Sequence, residues 1–253
     1  MSIEVNVAPA TLASLLGHVK AKWEQLGRTE PHWSVLASPE FKPDRIADTA
    51  DAFFGSGAGD VGLFREAAER CSVALPVDGT CFELGCGVGR ITIWLAKTFR
   101  KVIGADISAS HLAVAESAIA RSGQTNIELR LLDRPEAVAQ LPAFEAFYSL
   151  IVLQHNPPPV MRWLLQTILL KLKPGGLAFF QLPTMGGGYA FEAAAYLQQR
   201  PDVTLMEMHV LPQEVVLEVL KEAGCELLEA REHDCIGHAE WYSQTFLVRK
   251  GAA

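Results

Sequence analysis

The sequence predicts an α/β fold with a seven-stranded, mostly parallel sheet that ends in a C-terminal antiparallel hairpin. Helices are expected on both faces of the sheet, together with a helical cap at the N-terminus. From Thr80 onward, short runs rich in β-branched and aromatic residues alternate with helical stretches, which is typical of β-α-β units. No helical stretch separates the last two runs, so they must pair as a hairpin.

The N-terminal third is predicted to be helical. Its first helix is indicated by apolar side chains at helical spacing, at Leu12, Leu15, Leu16, Val19, Trp23 and Leu26. We expect this helix to end at Gly27 in a left-handed cap. Helical patterns return over residues 45–54 and 60–74, after a connection that contains prolines. The chain is therefore divided into a helical cap or lid over residues 1–75 and a main domain over residues 76–253.

Strands and helices of the main domain follow in order. The predicted strands are TCFEL, KVIGAD, NIELRLL, AFYSLIVL, GLAFFQL, CELLEARE and SQTFLV. The predicted helices cover residues 89–97, 108–121, 158–172 and 212–223, with a turn near residues 135–139. The segment HDCIGHAEWY connects the two strands of the hairpin.

Composition narrows the classes of partner. The 253 residues include 22 Lys and Arg against 29 Asp and Glu, a net charge of -7 that gives no general attraction for nucleic acid or anionic lipid. The chain has no apolar run long enough to span a bilayer and no secretory signal, so a cytoplasmic protein without a membrane partner is expected, as a monomer or homodimer. Five scattered cysteines without a C-x-x-C pair argue against disulfides and against a metal site.

A glycine loop follows the first predicted strand. FELGCGVGR places Gly85, Gly87 and Gly89 between a strand and a helix, where a ligand can approach the backbone because no Cβ is in the way. A dinucleotide fingerprint would have its third glycine at the position of Arg90. Glu83, just before the loop, is poorly placed to face a pyrophosphate but suits a cationic or amine-bearing ligand.

An acidic residue ends the second predicted strand. Asp106 follows Gly89 by 17 positions, close to the ~20 expected of an acid that accepts hydrogen bonds from ribose hydroxyls. The glycines alone could serve a tight strand-to-helix turn. Together with Asp106 they predict a site for a cofactor that carries a ribose.

These segments carry a family resemblance. ELGCGVGR, then GADIS, then LKPGG before the fifth strand and finally a terminal hairpin together resemble the class I S-adenosylmethionine-dependent methyltransferases, whose sheet is Rossmann-like. The resemblance extends over roughly residues 75–250. It implies S-adenosyl-L-methionine as cofactor and S-adenosyl-L-homocysteine as product.

The resemblance also implies roles for single residues. It puts Glu83 near the amino group of the cofactor, Asp106 on the ribose, Ile107 against the adenine, and Leu132 with Asp133 near the adenine edge. The other residues that it assigns to the cofactor are Gly85, Cys86, Gly87, Gly89 and Gln154. Arg134 stands where the family more often has a small residue, so a surface role for Asp133 is the alternative.

The segment after the fourth strand should face the substrate, because ligands bind beyond the carboxyl ends of strands in an open parallel sheet. It contains Gln154, His155 and Asn156. The Asn-Pro-Pro sequence is not interpreted as the motif of amino-methyltransferases, because its distance from Glu145 is wrong and Pro159 replaces the aromatic residue. It is interpreted as a helix start, with Asn156 as the cap.

His155 is the candidate catalytic residue. A hydroxyl acceptor needs a base with a pKa near neutrality within reach, and imidazole meets that need. The alternative is a histidine that only shapes the loop. Methyl transfer can also proceed without a base, because alignment of the reacting atoms and exclusion of water supply much of the acceleration.

Further residues are predicted to line the acceptor pocket or to cover it. The hairpin connection should emerge on the ligand side and offers Asp234, His238, Trp241 and Tyr242. For His238 and Tyr242, an ordinary polar turn is the alternative. Trp33, in the N-terminal connection with His32, is a further candidate for substrate binding. Residues 185–189, with three glycines, are expected to move as part of a lid. Trp23 is a further aromatic residue that could belong to such a lid, but it fits the apolar stripe of its helix and is assigned to the core.

The sequence therefore predicts an enzyme that transfers a methyl group by direct displacement to a small-molecule acceptor, with a hydroxyl oxygen favoured. Three alternatives remain open. They are an N-methyltransferase acting on a small amine, a NAD(P)-binding oxidoreductase, and a non-catalytic S-adenosylmethionine sensor.

Overall fold

A seven-stranded mixed sheet forms the centre of the protein, in a computed structural model that describes residues 2–198, 206–233 and 240–252. The strand order is β3-β2-β1-β4-β5-β7-β6. The strands are β1 (Thr80–Leu84), β2 (Lys101–Asp106), β3 (Ile127–Leu131), β4 (Phe144–Ser149), β5 (Leu172–Gly186), β6 (Cys225–Glu232) and β7 (Trp241–Lys250). The first five strands pair in parallel, and β7 runs antiparallel to β5 and to β6. The predicted fold class, including the terminal hairpin, is confirmed.

Helices cover both faces of this sheet. They are α1 (Pro9–Thr29), α2 (Ile46–Arg70), α3 (Thr92–Thr98), α4 (Ala109–Ser122), α5 (Pro135–Ala139), α6 (Pro158–Leu169), α7 (Ala193–Gln198) and α8 (Gln213–Glu222). Cys81 and Phe82 are neighbours in β1 but belong to different apolar clusters, because successive side chains of a strand point to opposite faces. Among the described residues, none of these helices combines the length and the hydropathy needed to cross a membrane.

The prediction that α1 ends at Gly27 is wrong, since the helix continues to Thr29. Gly27 serves packing instead. A Cβ atom at this position would lie 2.7 Å from Nδ1 of His111 and 2.7 Å from Oγ of Ser108, closer than real Cβ contacts come. The glycine therefore lets α1 approach the first turn of α4.

The two helices predicted over residues 45–54 and 60–74 are one continuous helix, α2. Gly57, in the stretch that suggested a break, faces the segment that leads into α3. A Cβ atom there would overlap the main-chain carbonyl of Arg90 and lie 2.9 Å from Cδ1 of Trp94. Trp94 also donates from Nε1 to the carbonyl of Phe54, at 2.7 Å. The glycine thus permits close packing without interrupting the helix.

Residues 1–75 share their core with the rest of the chain. Leu15 and Leu16 of α1 are buried in the same cluster as Phe82 of β1. Phe64 of α2 lies on the other face of the sheet, with its ring stacked on Phe179 of β5 at a centroid distance of 5.4 Å. The division of the chain at residue 75 stays a prediction.

The start of α6 differs in detail from the expectation. The helix begins at Pro158, as the Asn-Pro-Pro sequence indicated, but Pro157 occupies the cap position. Asn156 is not the cap, because its Nδ2 atom donates back to the carbonyls of Val152 and Leu153, at 3.0 and 3.4 Å. Its side chain therefore stabilises the turn that precedes the helix.

Candidate active site

A cavity of about 420 Å³ lies beyond the carboxyl ends of the central parallel strands. Its floor is formed by the glycine loop after β1, by Asp106 and Ile107 after β2, and by residues 150–152 and 154–156 after β4. β1 lies between β2 and β4, so the strand order reverses here. This is the position at which open α/β sheets bind their ligands.

The wall opposite the sheet comes from irregular segments and from α1. Its residues are Leu16, Val19, Trp23, Ser34, Val35, Leu36, Ala37, Met206 and Met208. Most of these side chains are apolar, whereas the floor also presents polar side chains, among them Asp106, Gln154 and His155. Such a mixture suits a ligand with one charged part and one apolar part.

The glycine loop has a backbone that other residues rarely adopt. Gly85, Gly87 and Gly89 have φ angles of +74°, +53° and +84°. A Cβ atom at Gly85 would overlap the side chain of Val152, and one at Gly87 would lie 2.6 Å from Cγ2 of Val35. Gly85 and Gly87 line the cavity, whereas a Cβ atom at Gly89 would meet Ala115 of α4. Only glycine fits the two cavity positions.

Cys86 lies between these glycines and also lines the cavity. It is buried, and burial raises the pKa of its thiol well above the usual range, with the charges of Asp106 and Glu83 acting in the same direction. The thiol therefore stays protonated at neutral pH. This side chain can contribute shape to the site but no thiolate nucleophile.

Asp106 connects the glycine loop to α4. Its carboxylate accepts hydrogen bonds from the N–H of Gly87 at 2.8 Å and from the N–H of Ser108 at 2.9 Å. The residue is 8% exposed and lines the cavity. Two backbone donors thus hold an acidic side chain at the end of β2, where it can still accept hydrogen bonds from a ligand.

Glu83 is a buried carboxyl group at the end of β1. Its Oε2 atom accepts a hydrogen bond from the Thr92 hydroxyl at 2.6 Å. Burial raises its pKa, and the charge of Asp106 adds to that effect, while Thr92 and Arg90 oppose it, with a resulting pKa of about 7. A cation that entered the cavity would favour the ionised form of this group.

Three residues were expected near an adenine. Ile107 and Leu132 line the cavity. Asp133 is not among the lining residues. It forms ion pairs with Lys20 of α1 at 2.7 Å and with Arg134 at 3.1 Å, and the hydrogen bond from Lys20 lowers its pKa. This position agrees with the alternative of a surface role for Asp133.

A buried amide network holds the loop after β4. Gln181 of β5, which is fully buried, donates from Nε2 to Oε1 of Gln154 at 3.0 Å and to Oγ of Ser243 at 2.6 Å. Its Oε1 atom accepts from the N–H of Ile151 at 2.9 Å. Ile151 has a φ of +57°, which strains a β-branched residue. The network therefore fixes a strained turn that carries Gln154 and His155 into the cavity.

His155 has a defined tautomer. Its Nδ1 atom lies 2.7 Å from the main-chain carbonyl of Glu207, which can only accept, so Nδ1 carries the proton and Nε2 keeps a lone pair. Burial lowers the pKa of His155, the hydrogen bond to Glu207 opposes burial, and nearby His209 and Lys22 add to the lowering, with a resulting pKa of about 4. The imidazole is therefore neutral at pH 7. Its Nε2 atom lies 3.4 Å from Nε2 of Gln154, a long contact that the hydroxyl of a ligand would have to replace or share.

Trp23 has a different position from the predicted one. It is only partly buried and lines the cavity instead of the core. Its ring meets the ring of His155 edge-on at 5.2 Å and lies 6.1 Å from the ring of His111. The apolar stripe of α1 thus continues into the cavity wall.

Several cavity residues were not predicted from the sequence. His111, in the first turn of α4, has its Nε2 atom 2.9 Å from Oγ of Ser34. Its position three residues after the helix cap Ser108, close to Asp106, is a signal that could have identified it. Ser34 and Met208 belong to irregular segments without periodicity, so the sequence carries no comparable signal for them.

Other predicted substrate residues lie elsewhere. Trp33, Trp241 and Tyr242 are not among the residues that line the cavity in the described part of the chain. Lys42 lies over the Trp33 ring at 5.3 Å, and Trp241 packs edge-on against Tyr189 at 5.5 Å. His238 and Asp234 lie outside the described residues.

Comparison with known proteins identifies the core of the chain. Residues 82–176 match a family model described as a methyltransferase domain. A ubiquinone biosynthesis O-methyltransferase of Leptothrix cholodnii is 30% identical over 98 residues, which cover 38% of this chain and 41% of that relative. The chain covers between 25% and 48% of the length of the curated relatives that it matches.

Solved structures share the whole fold. The N-methyltransferase NodS of Bradyrhizobium japonicum, in complex with S-adenosyl-L-homocysteine, has a TM-score of 0.59 at 18% identity and covers 92% of this chain and 98% of its own. The [4+2]-cyclase SpnF has a TM-score of 0.57 at 15% identity and covers 100% of this chain and 99% of its own. The same fold therefore occurs in a protein named for a different reaction, and the chemistry has to be argued from the site.

Proposed function

Because residues 82–176 match a methyltransferase-domain model and solved methyltransferases share the fold, we propose that the chain is a class I S-adenosylmethionine-dependent methyltransferase that transfers a methyl group from that cofactor to a hydroxyl oxygen of a small molecule. One observation carries the proposal. Glu83 near the end of β1, Asp106 at the end of β2 and His155 after β4 border the same cavity. A ligand in this cavity would therefore contact two acidic groups and one neutral imidazole.

The residues of the cavity floor fit this cofactor. Glu83 is buried beside the cavity and gains its charge when a cation such as an amino group approaches. Asp106 can accept hydrogen bonds from ribose hydroxyls, and Ile107 offers an apolar surface to an adenine. Gly85 and Gly87 leave room for close approach to the backbone.

The bound cofactor supplies a methyl group that is already activated by a positively charged sulfur. The protein then has to orient the acceptor and exclude water. His155 would accept a hydrogen bond from the acceptor hydroxyl at Nε2 and so direct the oxygen. With a pKa of about 4, this imidazole mainly orients the acceptor before transfer, and it would take the hydroxyl proton at Nε2 as the C–O bond forms, the C–S bond breaks and the oxygen becomes strongly acidic.

The cover of the cavity supports a small acceptor. Trp23, which packs against His155, and the cavity-lining Met206 and Met208 offer apolar and polarisable contacts. The net charge of -7 gives no attraction for a polyanionic acceptor such as RNA. A compact molecule with an apolar body and one reactive hydroxyl matches both features.

The proposal is tested by incubating the protein with S-adenosylmethionine and a panel of phenols, alcohols and amines. Formation of S-adenosylhomocysteine and the mass of the products are measured. Methylation of hydroxyl compounds is expected. Methylation of amines alone would contradict the choice of oxygen. Binding of S-adenosylmethionine without turnover of any acceptor would contradict catalysis and indicate a sensor.

A further inference from the structure

We propose that the buried Lys22–Glu207 ion pair positions His155, by holding the Glu207 carbonyl where it fixes the imidazole with Nε2 toward the acceptor. The inference rests on the proposed function, because it assigns a role within the same site. Lys22 and Glu207 are positioning residues in this account, since His155 is the group that would contact the acceptor.

The ion pair is buried between two separate parts of the chain. Lys22 is on α1 and only 4% exposed, and its Nζ atom pairs with Oε1 of Glu207. The other carboxylate oxygen of Glu207 accepts from the Tyr196 hydroxyl of α7 at 2.7 Å and lies 3.6 Å from Nε2 of His209. Groups from α1, α7 and its own segment thus hold one carboxylate.

The charge of Glu207 is secure at neutral pH. Burial acts to raise its pKa, but the nearby His209 ring, the ion pair with Lys22 and the hydrogen bond from Tyr196 outweigh burial and hold the pKa at about 2. Burial of an ion pair costs desolvation energy that its attraction does not always recover, so a role beyond stability is the more informative explanation. The consequence is a fixed position for the main chain of residue 207.

Two hydrogen bonds join the main chain of residues 207–209 to Gln154 and His155, and we call this pair of bonds the clasp. The N–H of His209 donates to the carbonyl of Gln154 at 2.7 Å, and Nδ1 of His155 donates to the carbonyl of Glu207 at 2.7 Å. The segment that follows residue 206 therefore runs beside the loop after β4. Lys22 connects this segment to α1, and its neighbour Trp23 packs edge-on against the His155 ring.

The clasp determines the chemistry that His155 offers. The nitrogen that carries the proton in a neutral imidazole is determined by the partner of the other nitrogen. When the Glu207 carbonyl is in place, Nδ1 donates across 2.7 Å and Nε2 has a lone pair, toward which the Gln154 amide nitrogen makes only a longer contact of 3.4 Å. If the segment moved away, the proton could shift to Nε2, and His155 would meet an acceptor hydroxyl as a donor.

The test observes the tautomer directly and needs no acceptor. Two-dimensional ¹H–¹⁵N NMR of the ¹⁵N-labelled full chain reports which nitrogen of each imidazole is protonated, and His155→Gln assigns the signal. The wild type is expected to have an Nδ1–H tautomer at His155. Glu207→Gln keeps the backbone and the size of the side chain but removes its charge, and we expect it to lose the Nδ1–H resonance.

Two further variants complete the test. Lys22→Met keeps an apolar stem of similar length but removes the charge that pairs with Glu207, and we expect it also to lose the Nδ1–H resonance of His155. This variant provides the test if Glu207→Gln does not fold. Lys20→Gln removes a different ion pair of α1, and it should leave the tautomer of His155 unchanged. With an acceptor from the panel above, Glu207→Gln and Lys22→Met should each lower kcat by about 10- to 100-fold, which is the effect expected when the group that orients the acceptor is displaced by about 1 Å.

The outcomes separate the inference from the proposed function. An unchanged Nδ1–H tautomer in both Glu207→Gln and Lys22→Met would overturn the positioning role. A wild-type protein with the Nε2–H tautomer at His155 would also overturn the positioning role. Calorimetry with S-adenosylhomocysteine is expected to give wild-type affinity for both variants. Absence of binding to the wild type would contradict the proposed function, whatever the tautomer of His155.

Discussion

The Thr92 hydroxyl donates to Oε2 of the buried Glu83 carboxyl across 2.6 Å, so the first turn of α3 holds the acid that ends β1. Burial keeps the pKa of this acid at about 7 in the free protein. The group is therefore close to half ionised at neutral pH. A cationic ligand would complete the ionisation, which makes binding sensitive to pH.

Binding of S-adenosylhomocysteine is predicted to release protons near pH 7. Its amino group lowers the pKa of Glu83 from about 7. At any pH between the pKa of Glu83 in the complex and its pKa in the free protein, the carboxyl group therefore loses a proton when the ligand binds. Affinity should therefore increase as the pH rises from 5 to 8. Calorimetry in two buffers of different ionisation enthalpy measures the released protons, and Glu83→Gln should abolish the dependence on buffer. Equal heats for the wild type in both buffers would disprove this role of Glu83.

Asp106→Asn is predicted to weaken S-adenosylhomocysteine binding strongly. The substitution removes a charged acceptor from a ribose, which costs about 1.5 to 3 kcal/mol, or about 10- to 150-fold in Kd. Calorimetry on the variant gives the change directly. His155→Gln is the matched control, because it should reduce turnover while affinity for the cofactor stays near the wild-type value. Near-normal affinity in Asp106→Asn would mean that the ribose lies elsewhere.

Gln181→Leu is predicted to destabilise the protein. The fully buried amide serves Ile151, Gln154 and Ser243, and its removal leaves buried polar groups without partners. Each such group costs about 1 to 3 kcal/mol. Urea unfolding measures the loss. The exposed Gln140 provides a control, since Gln140→Leu should change the free energy of unfolding by less than about 0.5 kcal/mol. An equal effect of the two substitutions would argue against the network.

Gly27→Ala is predicted to disturb the contact of α1 with α4. The new methyl group would lie 2.7 Å from Nδ1 of His111 and from Oγ of Ser108, and such overpacking costs about 1 to 3 kcal/mol. Gly17 is in the same helix and has no atom within 4 Å of its ideal Cβ position. Gly17→Ala should therefore stabilise the protein by about 0.5 to 1 kcal/mol. Thermal unfolding of both variants measures the contrast, and a stabilising Gly27→Ala would contradict the packing argument.

The sheet could be predicted because its signals are local. β1, β2 and β6 have the predicted bounds, since each is a short run that the sequence sets apart from the helical pattern beside it. The N-terminal helices were harder to delimit. Gly27 suggested a helix end, and Gly57 lies between the two helical patterns of residues 45–54 and 60–74, but both glycines occupy positions where another part of the chain approaches too closely for a Cβ atom. Such tertiary contacts leave no trace in the local pattern.

The same difference applies to the candidate site. Glu83, Asp106 and His155 follow strands that end at one edge of the sheet, and they line one cavity. Ser34 and Met208 belong to segments without period or motif, and Trp23 follows an apolar stripe that also continues into the core. Their places depend on how α1 and the segment after α7 fold back over the sheet, which the local sequence does not encode.

A crystal structure of the protein with S-adenosylhomocysteine tests the proposed cofactor site most directly. We expect the amino group of the ligand at Glu83, the ribose hydroxyls at Asp106, and the sulfur directed toward the space in front of Nε2 of His155, beneath Trp23. A ligand that leaves this cavity empty, or one whose sulfur faces away from His155, would contradict the account.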